Sequence, residues 1–511
     1  MTQEQHITVT ASHARGALLV MLIVILLHLS LLWLPGINLE WVFADGAKYF
    51  AYHDPVFLRH YFLLEANTLG MPFLGYVGHW ILPFLDYNTV LRILSGSSFL
   101  LIGYSLLRLH SLLKQDYSPA LLLAVVFLNP LIWTFGGRGT ADLFPAALTL
   151  FAVTLFWQPG RSPVRLAIAI VAYGIAITLK YHAILLLPIV GLEMLSRPGA
   201  RLKPMLLQFS SIVGLILVLP GLYVVVARQL YGFWFVPPKF RAIHGPTLHS
   251  TTVLMNIIAY AAYLCLLLLP YSLSAVWEWI NTARKALIAS AAGSVVFVIG
   301  FYALRVGDEM RFGPLDAYVN PRIYGGLFLV FAAIVVVVSR QALLDAASPA
   351  ARRYLLCIFA GVALFVFVLS FTRPAQRYLL FVLPLSYFFV INRSRSKNYM
   401  TVATVWLYSL LIVFITLNQV ATGAVAQKMT QQIAARGLLD DTEPGDVIRG
   451  VDGDRFPDEV NGAVPKQHYM VIVGNSPQAI VTVESHPAPL VHKVLSLVPY
   501  EVATTTTDIR E

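Results

Sequence analysis

Charge is scarce in this chain. Asp, Glu, Lys and Arg make up 12% of its 511 residues, against 58% hydrophobic residues and a mean hydropathy of +0.72. No soluble core buries that much apolar material, so a water-soluble enzyme or binding module is excluded and the composition is that of a polytopic membrane protein. Cysteine is scarcer still. Cys265 and Cys357 both lie inside apolar runs, which leaves no disulfide framework, no CxxC pair and no Cys/His metal site. Acids are outnumbered, 26 against 36 Lys and Arg. The bases sit between apolar runs rather than in one aromatic-interleaved patch, so nucleic acid is not the expected partner. Internal repeats are absent to inspection, and low complexity is confined to Thr504 to Thr507.

The apolar runs themselves set the architecture. Arg15 to Pro35 can cross a hydrocarbon core of about 30 Å at about 1.5 Å per residue. No small-residue cleavage site follows it, so it reads as a retained anchor. Further runs lie near 89–110, 118–135, 140–157, 163–180, 182–196, 204–228, 252–273, 286–305, 321–339, 354–371, 374–391 and 399–419. As one helix, 163–196 would measure about 50 Å, so two spans reversing at Lys180-Tyr181-His182 are expected. Met71 to Leu85 is apolar but broken by Pro72, Gly75, Gly78 and His79, the pattern of a helix lying at the interface. Lys and Arg concentrate in the loops that an inward N-terminus places inside, which puts the 37–88 loop and the C-terminus outside. From about 420 the composition turns polar, with an amphipathic helix expected over 421–439 and strands at 446–449 and 468–473. The expected fold is therefore an all-α polytopic membrane domain over 1–419, with about thirteen transmembrane helices and interfacial helices in the first outer loop (37–88), followed by a small α/β extracytoplasmic domain over 420–511.

Polar residues inside this frame are costly, about 2.5 to 3.5 kcal/mol for a charge in an apolar run. The stretch Trp41-Val-Phe-Ala-Asp45-Gly-Ala-Lys48-Tyr49-Phe50 opens the first outer loop with an acid, a base and aromatics. On a short helix Asp45 and Lys48 would share a face; a solvated loop with an incidental ion pair reads the same spacing equally well. Three joints on the outer side also carry charge: Arg138 and Asp142 between 136 and 142, Lys180 beside Tyr181 and His182, and Arg373 with Arg377. Singly, each also reads as a helix end snorkelling to the headgroups. In the loop 231–244, an interfacial aromatic belt accounts for Phe233 and Trp234, while Lys239, Arg241 and His244 add donors suited to phosphate. Together these features describe an outer-face cavity with one carboxylate and an excess of cations, suited to an anionic, lipid-linked substrate.

Several of these stretches resemble the GT-C superfamily of polyprenyl-phosphate-sugar-dependent glycosyltransferases, which holds the protein O-mannosyltransferases and the lipid A aminoarabinose transferase. Asp45-Gly-Ala-Lys48-Tyr49 is similar to the family's Asp-Glu-x-x-Tyr-like motif, with Gly46 in place of the second acid. Thr89-Val-Leu-Arg92-Ile-Leu-Ser resembles its Arg-Leu-Ser start of span 2, Thr178-Leu-Lys180-Tyr181 with Pro188 its Thr-Lys stretch, and Gln376-Arg377-Tyr378-Leu-Leu with Pro384 its late Arg-Tyr-Leu-Leu-x-x-Pro span. The likeness runs in order over roughly 15–419. Where the family has Lys-Pro-Pro before the interfacial helix, this chain has Gly70-Met71-Pro72-Phe73. The resemblance implies inverting transfer of a sugar from a polyprenyl-phosphate carrier to a hydroxyl of an extracytoplasmic lipid-linked glycan, lipopolysaccharide or protein, in a multi-pass protein of the bacterial inner membrane. These motifs and the charged joints together make Asp45 the expected general base and assign substrate and donor-phosphate binding to Lys48, Tyr49, Arg92, Arg138, Asp142, Lys180, Lys239, Arg241, His244 and Arg377. No metal and no cofactor are expected, because a leaving polyprenyl phosphate is stabilised by Arg and Lys. The competing readings are a transporter or flippase of a lipid-linked glycan, with paired broken helices in related halves, and an outer-face glycan polymerase or ligase. The long first outer loop favours the transferase.

Overall fold

The structure is a computed structural model that describes residues 18–27, 68–115, 117–158, 162–197, 201–232, 249–268, 284–306, 348–372, 375–391 and 402–413, the strands at 447–451, 466–473, 476–486 and 501–508, and the single positions 16, 47, 346 and 416.

Short polar-proline pairs start many of the helices. Ser118-Pro, Asn129-Pro, Ser162-Pro and Ser348-Pro each put proline in the first turn, where its missing N–H costs nothing. At three of these starts the preceding side chain also accepts a first-turn N–H: Asn129 from Leu131 at 3.0 Å, Ser162 from Arg165 at 3.2 Å and Ser348 from Ala351 at 3.1 Å. The helices are α1 (Gly70–Ile81), α2 (Tyr87–Leu112), α3 (Pro119–Phe127), α4 (Pro130–Gly136), α5 (Leu143–Trp157), α6 (Pro163–Leu179), α7 (Leu187–Leu195), α8 (Leu202–Tyr231), α9 (Ser250–Leu267), α10 (Arg284–Ala303), α11 (Pro349–Leu369) and α12 (Leu383–Val390). Two 3₁₀ turns, Tyr181–Leu186 and Gln376–Phe381, lead into α7 and α12. Shorter apolar helices cover Leu18–Leu27 and Val402–Val413.

Among the described residues three helices are long and apolar enough to cross a membrane, over Tyr87–Leu112, Leu202–Gln229 and Pro349–Leu369. A fourth span results if α3 and α4 count as one element, bent by 69° where Asn129-Pro130 interrupts it. The expected runs at 118–135 and 374–391 are thus not straight spans. The second consists of a 3₁₀ turn and the eight-residue α12, with Pro384 in the first turn of that helix. The run at 321–339 lies outside the described residues, and the expected total of thirteen is not reached among the helices described. The division of 163–196 is observed: α6 stops at Leu179, and Lys180 is extended at φ −154° and ψ 114°.

Helix α1 has 12 residues, about 18 Å, too short to span. It leaves Phe73, Trp80 and Ile81 exposed, with Phe84 just beyond, while Gly75 and Gly78 pack against α2. This is the geometry of a helix lying on the bundle with an apolar side outward. The core is built where α2, α3, α5 and α6 meet, around Phe99, Phe127, Trp157 and Tyr173. Helix α8 presents Leu206, Leu207, Leu215, Val218 and Leu222 outward, as a lipid-facing helix does. It approaches α6 closely at Gly174, where a Cβ would lie 3.0 Å from the Ile216 carbonyl.

Toward the C-terminus, β1 (Val447–Val451), β2 (Lys466–Val473), β3 (Ser476–His486) and β4 (Glu501–Asp508) form an antiparallel meander in the order β1-β2-β3-β4, with an irregularity between Val471 and Ile472. The expected strands correspond to β1 and β2. The amphipathic helix expected over 421–439 lies outside the described residues.

Candidate active site

Three turns far apart in sequence meet at one end of the bundle. At the first, between α6 and the 3₁₀ turn, the backbone of Lys180 is fully bonded. Its N–H reaches the Ala176 carbonyl at 2.9 Å, and its carbonyl accepts from Ala183 at 3.0 Å. The buried Tyr173 hydroxyl donates to the Ala183 carbonyl at 3.1 Å, satisfying a group that the helix break would otherwise strand. The Lys180 ammonium projects to the second turn, between α4 and α5, and ion-pairs with Asp142. Asp142 precedes α5 without capping it. Its side chain is only 6% exposed and that of Lys180 15%. Burial alone would push the Asp142 carboxyl up, but the charges of Lys180 and Arg377, with the bond from Lys180, hold it below the usual carboxylate range.

The third turn contributes Arg377 and Tyr378. Tyr378 is buried, and its ring is shared: the Lys180 ammonium lies 5.2 Å from the ring centre, the Arg377 guanidinium 5.7 Å, and His182 stacks on it at 4.1 Å between centroids and 21° between planes. Nearby in the chain, Arg138 places its guanidinium 5.7 Å from the centre of the Phe135 ring. Arg92, buried on α2, donates from Nε to the Gly137 carbonyl at 3.2 Å and so ties the second turn to α2.

The start of α1 is fastened to the same place. Thr68 donates its hydroxyl to the Leu179 carbonyl at 2.6 Å, and the Leu69 N–H donates to the Tyr223 hydroxyl at 3.1 Å. The hydroxyls of Tyr223 and Tyr181 bond each other. A Cβ on Gly70 would stand 3.0 Å from the Thr178 carbonyl, so glycine permits this approach. Ala47, the position between Asp45 and Lys48, is fully buried, and its Cβ would lie 3.2 Å from one placed on Gly75 of α1.

Of the residues assigned from sequence, Asp142, Lys180 and Arg377 therefore come together, while Arg92 and Arg138 attach to the loop that carries Asp142. Asp45, Lys48, Tyr49, Lys239, Arg241 and His244 lie outside the described residues. The resemblance assigns Lys180 to the donor phosphate; in the structure its ammonium is paired with Asp142. Sequence reasoning overlooked Tyr378, whose ring organises the cations, and Tyr223, which anchors α1. Tyr378 stood beside Arg377 in the quoted motif, but a buried tyrosine in an apolar run carries no signal of what its ring touches. Among the described residues no group of three His, Cys, Asp or Glu side chains forms a metal site.

No protein-family model matches the chain, and no curated protein is similar to it. Among solved structures, the crystal structure of ArnT from Cupriavidus metallidurans in the apo state is similar at 16% sequence identity and a TM-score of 0.38, over 84% of this chain and 81% of that one. A likeness this loose identifies no shared site.

Proposed function

We propose that this chain is a membrane glycosyltransferase of the GT-C type that moves a sugar from a polyprenyl-phosphate carrier to a hydroxyl of an extracytoplasmic lipid-linked glycan, lipopolysaccharide or protein. The observation that carries the reading is the meeting of three polar turns around one buried carboxylate, with arginines in excess of acids, directly beside a short apolar helix lying on the bundle. Such a place suits a ligand with an anionic head and a hydrocarbon tail. The ordered resemblance of four sequence stretches to the superfamily supports the same reading.

In this mechanism the acceptor oxygen attacks the anomeric carbon, the bond from that carbon to the phosphate oxygen breaks, and Asp45 takes the hydroxyl proton. The leaving polyprenyl phosphate gains charge as the bond breaks, and fixed cations aimed at it lower the barrier. Arg377 and Arg138 are suited to that role, with Lys48, Lys239, Arg241 and His244 drawn from the outer loops. Lys180 is already neutralised by Asp142, and Arg92 acts on the Gly137 carbonyl; both shape the turn that carries Asp142. Holding two membrane-borne substrates in line supplies much of the acceleration.

The test is purified protein in lipid nanodiscs with a panel of polyprenyl-phosphate sugars, scored by release of polyprenyl phosphate, alongside glycan masses from deletion and complemented strains. A released carrier that depends on one sugar and one acceptor supports the reading; no release from any donor, with unchanged glycans, overturns it. The flippase reading draws on the broken α3–α4 element, since transporters use discontinuous helices. That break is filled by the protein itself: the Asn129 amide donates to the Tyr387 hydroxyl at 2.9 Å and the Leu267 carbonyl at 3.3 Å. Movement of a lipid-linked glycan across liposomes without its consumption would favour the flippase.

A further inference from the structure

We infer that the first turn of α8, through Arg201 and Lys203, binds the headgroup of an anionic phospholipid of the phosphatidylglycerol type. The inference stands apart from the glycosyltransferase reading. Helix α8 has 30 residues, about 45 Å, the thickness of a bilayer with its headgroups rather than of the hydrocarbon alone. Its later part is fastened to the candidate site, where the Tyr223 hydroxyl accepts from the Leu69 N–H at 3.1 Å. Lys203 stands about 30 Å before Tyr223 along the axis, at the opposite surface. Around it Leu202, Leu206 and Leu207 are exposed, so a charged head and lipid chains meet at the same turns.

Charge at this surface is unbalanced. The connections 158–165 and 196–204 hold five Lys and Arg and no acid. The neighbouring acid, Glu193, is buried and already taken: Arg197 donates to its two oxygens at 3.0 and 2.6 Å, and Arg353 stands 3.8 Å away. Arg201 and Lys203 are exposed, and among the described residues their side chains have no hydrogen-bond or ion-pair partner. The other end of the same helix differs, since Arg228 donates to the Gly232 carbonyl and so closes its own last turn. Each base at headgroup depth favours a lipid of net negative charge by about fivefold, whereas a zwitterionic headgroup brings its own ammonium and gains little. The exposed leucines beside these bases favour a lipid over a soluble anion, because they offer the acyl chains a surface.

The experiment titrates the full chain in detergent with palmitoyl-oleoyl phosphatidylglycerol or phosphatidylcholine, counts bound lipid by native mass spectrometry and reads the thermal midpoint alongside. Wild type should prefer phosphatidylglycerol by about 25-fold, and the preference should fall about fivefold in Arg201→Gln and in Lys203→Gln and vanish in the double variant. Midpoints in lipid-free detergent should not change; if the double variant does not fold, the single variants carry the test. Arg201→Lys should keep the preference, because charge is what the headgroup requires, and Arg228→Gln should keep it too. Equal uptake of the two lipids by wild type overturns the inference, as does a preference that survives replacement of Arg201 and Lys203. An equal loss in Arg228→Gln also overturns it, since the attraction would then come from net charge rather than from this turn. Displacement of the lipid by inorganic phosphate at matched ionic strength overturns it in favour of a soluble-anion site.

Discussion

The Lys180 ammonium is paired with the Asp142 carboxylate across 38 residues of sequence, joining the end of α6 to the start of α5. Both side chains are largely buried, and removing one partner of such a pair leaves an uncompensated charge at a cost of about 3 to 5 kcal/mol. Lys180→Ala and Asp142→Asn should each lower the thermal midpoint strongly, and the double replacement Asp142→Asn with Lys180→Met should recover most of the loss. A double-mutant cycle in detergent checks this. Single variants that unfold like wild type would mean that the pair is not a structural joint. Should Lys180→Ala bind donor normally while losing stability, the phosphate contact belongs to Arg138, Lys239 or Arg377.

The acid side of the stability curve follows from the same pair. Asp142 titrates below its ordinary value of 3.8, so its contribution is complete above that value and fades as pH falls through the depressed one. Between pH 5 and 8 the curve should keep the same slope in wild type and Asp142→Asn, and only below about pH 4 should the wild type lose stability faster. Thermal midpoints across pH measure the difference. A steep change in slope between pH 5 and 6 on substitution would contradict the depressed value.

Gly78 faces Val90 so closely that a Cβ would overlap the valine Cγ1. Gly78→Ala gains about 1 kcal/mol of helix propensity, but overpacking at a tight contact costs about 1 to 3 kcal/mol. The net effect should be a loss of stability, with α1 lifted from α2. Val90→Ala removes the obstacle, so the double variant should return to wild type or exceed it. An unchanged midpoint for Gly78→Ala alone would show that α1 shifts freely.

Asp45→Asn should leave folding and donor binding intact while lowering turnover by about 100-fold, the scale of a general base. The measurement pairs donor affinity with initial rates in nanodiscs. Near-normal transfer by a well-folded Asp45→Asn protein removes this residue from the mechanism.

A reporter fused after Glu511 is expected outside the cytoplasm, as is one within 37–88, whereas one near Arg395 is expected inside. Accessibility labelling at these three places counts the crossings between them. A cytoplasmic signal at Glu511 would show an even number of spans.

By itself the sequence determined that the chain belongs in a membrane, because 58% hydrophobic residues cannot be hidden otherwise, and its Ser-Pro and Asn-Pro pairs set four helix starts through local backbone chemistry. It also determined the break at Lys180: a helix through 163–196 is too long for the bilayer. The shortness of α1 was legible for the same local reason, with Pro72, Gly75 and Gly78 in a brief apolar stretch. What only the tertiary structure decided was which polar joints meet. Asp142, Lys180 and Arg377 each looked like a helix end reaching for headgroups, because burial and partner are properties of neighbours that sequence spacing does not contain. The bend between α3 and α4 is marked locally by Asn129-Pro130, but its 69° angle and the bonds of the Asn129 amide to the Tyr387 hydroxyl and the Leu267 carbonyl belong to the tertiary structure. Tyr378 shows the limit most plainly: a tyrosine in an apolar run looks like core, and only the packing of two turns puts two cations and a histidine on its ring.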